Sequence, residues 1–521
     1  MNTQTRELIP LFYHSVCRLP KVIQMKLKQT KKLPTMNYFI MIAILVIIIT
    51  FSLMLCSLPS TRVHSQVGPG AIQVESVTST YDALLKAPMI ISQVAIVGGV
   101  FNHIFLQRVL RSRTQPNYKN NKPMDSSLQS LRRLFIIIVA CSLTILVTAS
   151  SLIYLQAISL SSELDLDVTT TFTILTSTPV GPVWILRIVT SSIIVASSIL
   201  YYILEKKKTK RITAEEDHYT YNNKQRKINL SLSKLLLYII ISSGAISILS
   251  NSVVSHSAAL SFLPSLAISM DWLHFMAVSI WVGGLFYISA ILLVTIRSTI
   301  NVTEPINEAY ETRKARNTYF LAVLLPYFSL IATISLGIIG VTGLYMAWIH
   351  LHTAQALFDT MYGNVLIIKL SVILPMVILG AYNQLRLHES LVLFARIGKG
   401  GEKSNDKRNL AANTAGRGGG RSNSLRADPF AKFSKTINIE SFTAIGVLFI
   451  SSFLTISSPP STSMAENSDL NGSSTSENDM PSFDSFAVLV IILSAAVLTG
   501  SIFYFVKSKR EIKKTIDYLH P

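Results

Sequence analysis

Long uninterrupted apolar runs are the feature of this sequence that most restricts its fold. Several runs exceed the ~20 residues that an α-helix needs to cross a bilayer, in a chain of 521 residues that is 50% hydrophobic and only 14% charged. Each run is continuous and lacks the alternating pattern of a membrane β-barrel strand. Because helices satisfy their own backbone hydrogen bonds in lipid, the sequence predicts an all-α, polytopic integral membrane protein.

The apolar runs predict about ten membrane-spanning helices, which we number as spans one to ten. Their expected boundaries are 37–58, 88–107, 134–158, 183–204, 235–255, 271–296, 323–348, 363–385, 441–458 and 485–506. The loops between the spans are short, so a helical bundle is expected to make up most of the protein.

The net charge of +19 raises the question of a nucleic-acid partner, and the positions of the basic residues answer it. Arg62 and Lys86 lie in loops on one side, and Arg187 and Lys369 lie within spans. All the other Lys and Arg residues lie in the terminal segments or in loops on the opposite side. The positive-inside rule then predicts a multi-pass plasma-membrane protein with both termini cytoplasmic. The basic surplus indicates topology and contact with the lipid bilayer, and no nucleic-acid partner is expected.

Spans and loops divide the chain into six expected segments. They are a basic cytoplasmic leader at 1–36, a lead helix at 37–58, a core of spans two to eight at 85–398, a flexible cytoplasmic linker at 399–440, the final two helices at 441–506 with an acidic outer loop at 459–484, and a basic cytoplasmic tail at 507–521. The lead helix is interpreted as a retained signal anchor. We expect the function to lie in the core.

Four histidines are expected at one depth, at span ends on the outer side. His256 ends span five, His274 begins span six, and His350 and His352 follow span seven. Methionines accompany them at the outer ends of spans, namely Met89, Met270, Met346 and Met361. Imidazole and thioether together form a ligand set for copper, and the soft thioether favours Cu(I).

The spacing of these residues adds to the prediction of a copper site. Met270 and His274 are four residues apart and therefore share one face of a helix. The predicted ligands are His256, His274, Met270, His350, His352 and Met89. The alternative is that these are ordinary interfacial His and Met residues without a metal.

Three charged residues, Asp271, Arg187 and Lys369, fall in the outer half of the predicted membrane region. Intramembrane charges are costly and are therefore candidate functional residues. At ~1.5 Å per residue, Arg187 and Lys369 lie only some 6–10 Å below the outer surface. Snorkelling to the interface explains both cations. The alternative pairs them with Asp271, Asp359 or an anionic ligand.

His103 lies deeper than the outer histidines, about 15 residues into span two and ~22 Å from the outer face. It therefore cannot share a metal ion with them. With His388, just past span eight, it would form a second, inner site. The alternative is a structural hydrogen bond to a neighbouring helix.

Five segments, taken in order, resemble motifs of the copper resistance protein D (CopD) family. They are "GPVWILRIVTSS", "SHSAA", "DWLHFMAVSIWVGGLFYIS", "YFSLIATISLGIIGVTGLYMAW" and "DTMYGNVLIIKLSVILPMVILGAYNQLRL". The resemblance covers roughly residues 85–460. The residues that fall on motif positions are His256, His274, Trp281, Arg187 and Lys369, whereas His350 and His352 do not.

The resemblance implies a copper-handling membrane protein that moves copper inward from the extracytoplasmic side. Relatives often work with a small β-sandwich copper chaperone of the CopC type. The outer loop 59–87 is too short to form such a domain. The metal is therefore expected to come from a separate extracytoplasmic chaperone, or to arrive without one.

Two functions from different classes stay open. The first is copper transport through the outer His/Met site, with His103 as an inner station. The second is a cytochrome b-like haem protein in electron transfer, which requires two facing imidazoles. His256 with His274, or His103 with His388, would supply them, and Arg187 with Lys369 would bind the haem propionates. No GxSxG, HExxH or P-loop motif occurs, so an enzyme is not expected.

Overall fold

The structure, a computed structural model, describes eight stretches of the chain. They are residues 71–113, 124–177, 181–214, 223–259, 264–301, 308–399, 429–457 and 485–519. Every regular element in these stretches is helical. The α-helices are α1 (Ala71–Arg113), α2 (Met124–Leu164), α3 (Val168–Ser177), α4 (Gly181–Ala214), α5 (Asn223–Val253), α6 (Pro264–Phe286), α7 (Leu293–Asn301), α8 (Glu308–Leu351), α9 (Ala356–Asp359), α10 (Met361–Tyr382), α11 (His388–Lys399), α12 (Pro429–Leu454) and α13 (Ser485–Leu519).

Nine helical runs in the described stretches are long and apolar enough to cross a membrane, and each overlaps one of the predicted spans two to ten. The prediction of an all-α polytopic membrane bundle is therefore confirmed. The predicted lead helix at 37–58 lies outside the described residues. The cytoplasmic location of both termini stays a prediction.

Most helices are longer than the apolar runs that revealed them. Helix α8 begins at Glu308, before the predicted start of its span at 323, and α12 begins at Pro429 rather than at 441. Hydropathy detects only the part of a helix that lies in lipid, whereas backbone hydrogen bonding continues into the polar region beyond it.

Helices α1 and α6 form the centre of the bundle. In their most apolar windows 72% and 83% of the residues are buried, against 6% in the run that begins with α10 and 11% in α13. Helices α1, α5 and α8 pack directly on α6, while α12 packs on α1 and α10, and α13 packs on α8. The central pair therefore contacts protein on most sides, and α10 and α13 present most of their surface to lipid.

Glycines allow α1 and α6 to approach closely. A Cβ atom on Gly98 would overlap the carbonyl oxygen of Ser279 and lie 2.7 Å from the Cα atom of Gly283. Asn102 then bridges the pair, because its amide donates to the Gly98 carbonyl at 2.8 Å and to the Ile280 carbonyl at 2.9 Å. Small residues of this kind provide the close packing that holds helices together in lipid.

Two helical rods contain a short π-helical segment near their inner ends. Tyr287–Leu292 joins α6 to α7, and Asn383–Leu387 joins α10 to α11. Such segments are rare and frequently occur at functional sites, because the extra residue redirects the side chains around it. The side chains of Tyr287 and Asn383 both bond to a neighbouring helix.

Candidate metal site

His256 and His350 meet at the end of the bundle that the charge distribution predicts to face outward, which is called the outer end below. His256 opens a 3₁₀ turn, His256–Ala259, that follows α5, and His350 lies in the last turn of α8. Their ring centroids are 6.5 Å apart and the ring planes are inclined by 79°. Of the four outer histidines, these two therefore form a direct pair.

Each imidazole of the pair has a buried nitrogen without a hydrogen-bond partner among the described residues. These atoms are Nε2 of His256 and Nδ1 of His350. Buried polar atoms are nearly always paired, so two such nitrogens in neighbouring rings are candidate ligand atoms. The backbone of Thr455, just past α12, lies close enough to His256 to affect its protonation.

The protonation state of His256 suits a metal ligand. Burial, with the nearby positive charge of Lys86, lowers the pKa of His256 below its ordinary value. An imidazole with an ordinary pKa near 6.5 is already mostly neutral at pH 7. The lowered pKa makes the neutral form, which is the form that binds metal, more dominant.

Met346 adds a thioether to this pair. It lies one helical turn, about 6 Å, below His350 on the same face of α8. Its Sδ atom accepts a hydrogen bond from the hydroxyl of Ser257 at 3.9 Å, and Ser257 follows His256 in the chain. The thioether is therefore held beside the turn that carries the first histidine. The sequence pointed to Met346 only as one of four outer methionines and did not select it as a ligand.

His274 lies deeper than the pair. Its Nδ1 atom is 2.9 Å from the hydroxyl oxygen of Thr342. Thr342, Met346 and His350 are spaced four residues apart, so they share one face of α8 and His274 joins that face about 12 Å below His350. Met270, one turn above His274 on α6, is partly buried.

A buried carboxyl group lies near this column of residues. Asp271 is 9% exposed, and its Oδ2 atom has no hydrogen-bond partner among the described residues. Lys369 on α10 acts electrostatically on both Asp271 and His274. The interaction between Lys369 and Asp271 is in line with the prediction that Lys369 pairs with an acidic residue. The ring centroid of Tyr362 is 5.9 Å from that of His350, and Tyr362 also interacts electrostatically with Asp271. Tyr362 therefore lies between the level of His350 and the level of Asp271.

Arg187 does not snorkel, because only 2% of it is exposed. Its guanidinium donates to the Ser250 hydroxyl at 2.9 Å and to the side-chain oxygen of Asn251 at 3.0 Å, and it stacks on the Trp184 ring at 4.3 Å. Asn251 in turn donates to Gln93 at 2.7 Å. Arg187 thus ties α4 to α5, and α5 to α1, through neutral groups.

Three further predicted residues lie outside the outer pair. Met89, 2% exposed, packs in the apolar core, and so does Trp281. His352 lies just past α8 with a backbone φ of 57° and is partly exposed. The part of the chain that the structure describes contains no group of three His, Cys, Asp or Glu side chains close enough to hold a metal ion. The groups that the described residues do bring together here are the imidazoles of His256 and His350 and the thioether of Met346.

The inner histidines have separate partners. Nδ1 of His103 is 3.1 Å from the hydroxyl of Tyr287, and Nε2 of His388 is 3.2 Å from the backbone oxygen of Ala322. His256, for its part, faces His350 and not the expected His274. The imidazole pairs that the haem alternative requires therefore gain no support.

The fold and the site together define a class of protein. It is a polytopic helical membrane protein that gathers imidazole and thioether groups at one end of its bundle.

The family follows from a comparison with known families. Residues 322–454 match the model of copper resistance protein D, so this segment, from α8 to the end of α12, is a copper resistance protein D domain. The match supports the resemblance that the motifs predicted, and it associates this segment with copper resistance or transport at a general level. The match includes His350 and Met346, while His256 and His274 precede it. No curated protein and no solved structure matches the chain.

Proposed function

We propose that the protein takes up copper across the membrane and that the ion docks between His256 and His350 at the outer end of the bundle. The observation that carries the proposal is the pair of buried, unpartnered ring nitrogens in contacting imidazoles. An ion with metal–nitrogen distances of about 2 Å to both rings separates the ring centroids by about 6 Å. The observed 6.5 Å is compatible with that arrangement.

Met346 makes this site selective for Cu(I). A thioether is a soft ligand and two neutral imidazoles add no charge, so the set favours a soft monovalent ion over harder divalent ions. A site with few ligands also releases its ion more readily than a closed coordination shell, as transport requires.

His274 provides the next ligand along the inward path. The face of α8 that carries His350 and Met346 continues to Thr342, which contacts His274. Successive positions are about 6 Å apart along the helix axis. Copper passes from the outer pair to Met346 and then to His274, and the nearby Asp271 offsets the positive charge of the ion. A separate extracytoplasmic chaperone delivers the metal.

The proposal is tested by copper flux into liposomes that contain the purified full-length protein and an entrapped Cu(I)-chelating dye. The double variant His256→Ala/His350→Ala should lower the initial rate at least about tenfold, which corresponds to ~1.4 kcal/mol. His352→Asn is the matched control, because His352 is a neighbouring histidine outside the pair and Asn tolerates its positive φ. Equal flux in the double variant and the wild type would contradict the proposed docking site.

A visible absorption spectrum of the same preparation tests the haem alternative. The transport proposal predicts copper binding without a Soret band. A Soret band with stoichiometric iron, retained in the wild type and lost in the His256→Ala variant, would replace copper by haem at this site.

A further inference from the structure

A buried carboxyl group lies near the middle of α12, about 21 Å along the helix axis from its outer end. Glu440 on α12 is 3% exposed. It lies about 7 Å along the helix from Lys435, an exposed residue on the inner side. Glu440 was not among the residues predicted from the sequence, because the predicted apolar span begins at the next residue.

Glu440 faces the π-helical segment that follows α10. The side-chain amide of Asn383 donates a hydrogen bond to the Oε2 atom of Glu440 at 2.9 Å. Among the described residues, this is the hydrogen bond that the carboxyl group accepts. Its Oε1 atom lies against Gly380, where an added Cβ would be 3.1 Å away. A larger residue at position 380 would crowd the carboxyl group, so the glycine leaves it space beside α10.

Charged groups on the surrounding elements have other partners or are exposed. Arg297 donates to Ser434, one and a half turns inward on α12, at 2.7 Å. His103 contacts Tyr287, His388 contacts a backbone oxygen, Arg386 is exposed, and Lys369 acts on Asp271 in the outer half. Glu440 is therefore a buried acid whose partner is a neutral amide.

An ionised carboxylate in such a place costs several kcal/mol, because the side chain is buried and the partner that the described residues provide is a neutral amide. Asn383 is suited to both protonation states. Its NH₂ group donates to the carboxylate, and its Oδ1 atom, buried and without a partner among the described residues, accepts the O–H of the neutral acid once the amide rotates. The amide thus provides a bond in either state.

We propose that Glu440 and Asn383 form a proton-binding site, and that Glu440 releases and takes up a proton during each copper transfer. A carboxyl and an amide oxygen are hard ligands and do not suit Cu(I), which favours a proton as the exchanged ion. Glu440 sits between two helix contacts, since the next residue, Ser441, donates to the Leu285 carbonyl of α6 at 3.3 Å. A change of charge on Glu440 therefore acts on the contact between α10 and α12. The coupling rests on the proposed copper transport, whereas proton binding does not.

Infrared spectroscopy of the full-length protein in lipid tests proton binding without copper. The wild type should show a carboxylic acid C=O band that titrates with pH and is absent in Glu440→Gln. The exposed Glu389 supplies the control, Glu389→Gln, which should keep the band. Asp271 is also buried, so the band must be assigned by its loss in Glu440→Gln alone. Identical spectra for the wild type and Glu440→Gln at every pH would overturn the proposal.

Proteoliposomes with an entrapped pH indicator test the coupling. Addition of Cu(I) outside should change the internal pH in the wild type, and Glu440→Gln should reduce that proton flux at least tenfold while it still binds copper at the outer site. Proton flux equal to the wild type in Glu440→Gln would overturn the coupling. If the wild type moves no copper, the proposed transport fails, and the infrared result still decides whether Glu440 binds a proton.

Discussion

At the scale of single residues, the outer site is defined by side chains whose hydrogen bonds are incomplete. A buried polar group without a partner costs about 1–3 kcal/mol, and His256 and His350 each contain one such atom. A ligand that bonds both nitrogens removes this cost. Copper binding should therefore stabilise the folded protein as well as fill the site.

Met346→Leu should weaken Cu(I) binding about tenfold or more, because leucine keeps the volume of the side chain and removes the sulfur ligand. The measurement is competition with a chelator of known affinity. Met89→Leu is the matched control, since Met89 packs in the apolar core. An unchanged affinity in Met346→Leu would remove the thioether from the ligand set.

Arg187→Lys should destabilise the protein by about 2–4 kcal/mol, because a lysine cannot reproduce the bonds of the guanidinium to Ser250 and Asn251. Thermal unfolding in detergent measures the loss. The same exchange at the exposed Arg386 should have little effect. If Arg187→Lys instead lowers copper affinity and leaves stability unchanged, Arg187 belongs to the site.

Some of these residue roles could be predicted from the sequence and others could not. The predicted topology and span lengths place His256 and His350 at the same end of the bundle, because helix length determines where a residue lies along the membrane normal. Which histidine faces which depends on helix rotation and on the turn after α5, and neither has a sequence signal. The burial of Glu440 could not be predicted, because a hydropathy profile does not detect the polar start of a helix.

At the scale of helices, the contact between α1 and α6 determines where α6 presents its side chains to α8. The glycine contact brings their backbones together, and Asn102 closes it with two hydrogen bonds. Helix α6 carries His274 and Asp271, and it contacts α8, which carries His350 and Met346. Displacement of α6 would therefore separate the deeper ligand from the column on α8.

Gly98→Ala should cost about 3 kcal/mol or more, since the new methyl group would overlap the backbone of α6 rather than a flexible side chain. Lower yield of monodisperse protein and a lower unfolding temperature would report the loss. A Cβ atom on Gly446 of α12 would meet nothing within 4 Å. Gly446→Ala should therefore be neutral or slightly stabilising. Equal stability of the two variants would contradict the close approach of α1 and α6.

The small-residue run "GIIGVTG" of α8 takes part in helix packing. Small residues allow close helix packing in lipid, and Gly340 lies against Val497 of α13, where a Cβ would be 2.6 Å from a methyl group. The partner helix could not be predicted, because small residues allow close packing without specifying what packs there.

At the scale of the whole molecule, the proposed transport direction depends on which end of the bundle faces outward. His256 and His350 lie at one end, so the orientation decides from which side copper docks. The distribution of Lys and Arg predicts that His256 and His350 face the extracytoplasmic side.

Cysteine accessibility in intact cells checks this orientation. In a background with Cys17, Cys56 and Cys141 replaced, Asp359→Cys should react with an impermeant maleimide, because Asp359 is exposed beside the outer pair. Glu389→Cys, exposed at the other end, should react only after the cells are permeabilised. The reverse labelling pattern would place His256 and His350 on the cytoplasmic side and would reverse the proposed direction of transport.

X-ray absorption spectroscopy of the Cu(I)-loaded protein tests the proposed copper site, because it identifies the atoms bound to the metal. We expect imidazole nitrogens and one sulfur around a low-coordinate Cu(I). The sulfur should disappear in Met346→Leu, and the nitrogens should be lost with the metal in His256→Ala/His350→Ala. A copper site whose spectrum is identical in the wild type and in both variants would contradict it.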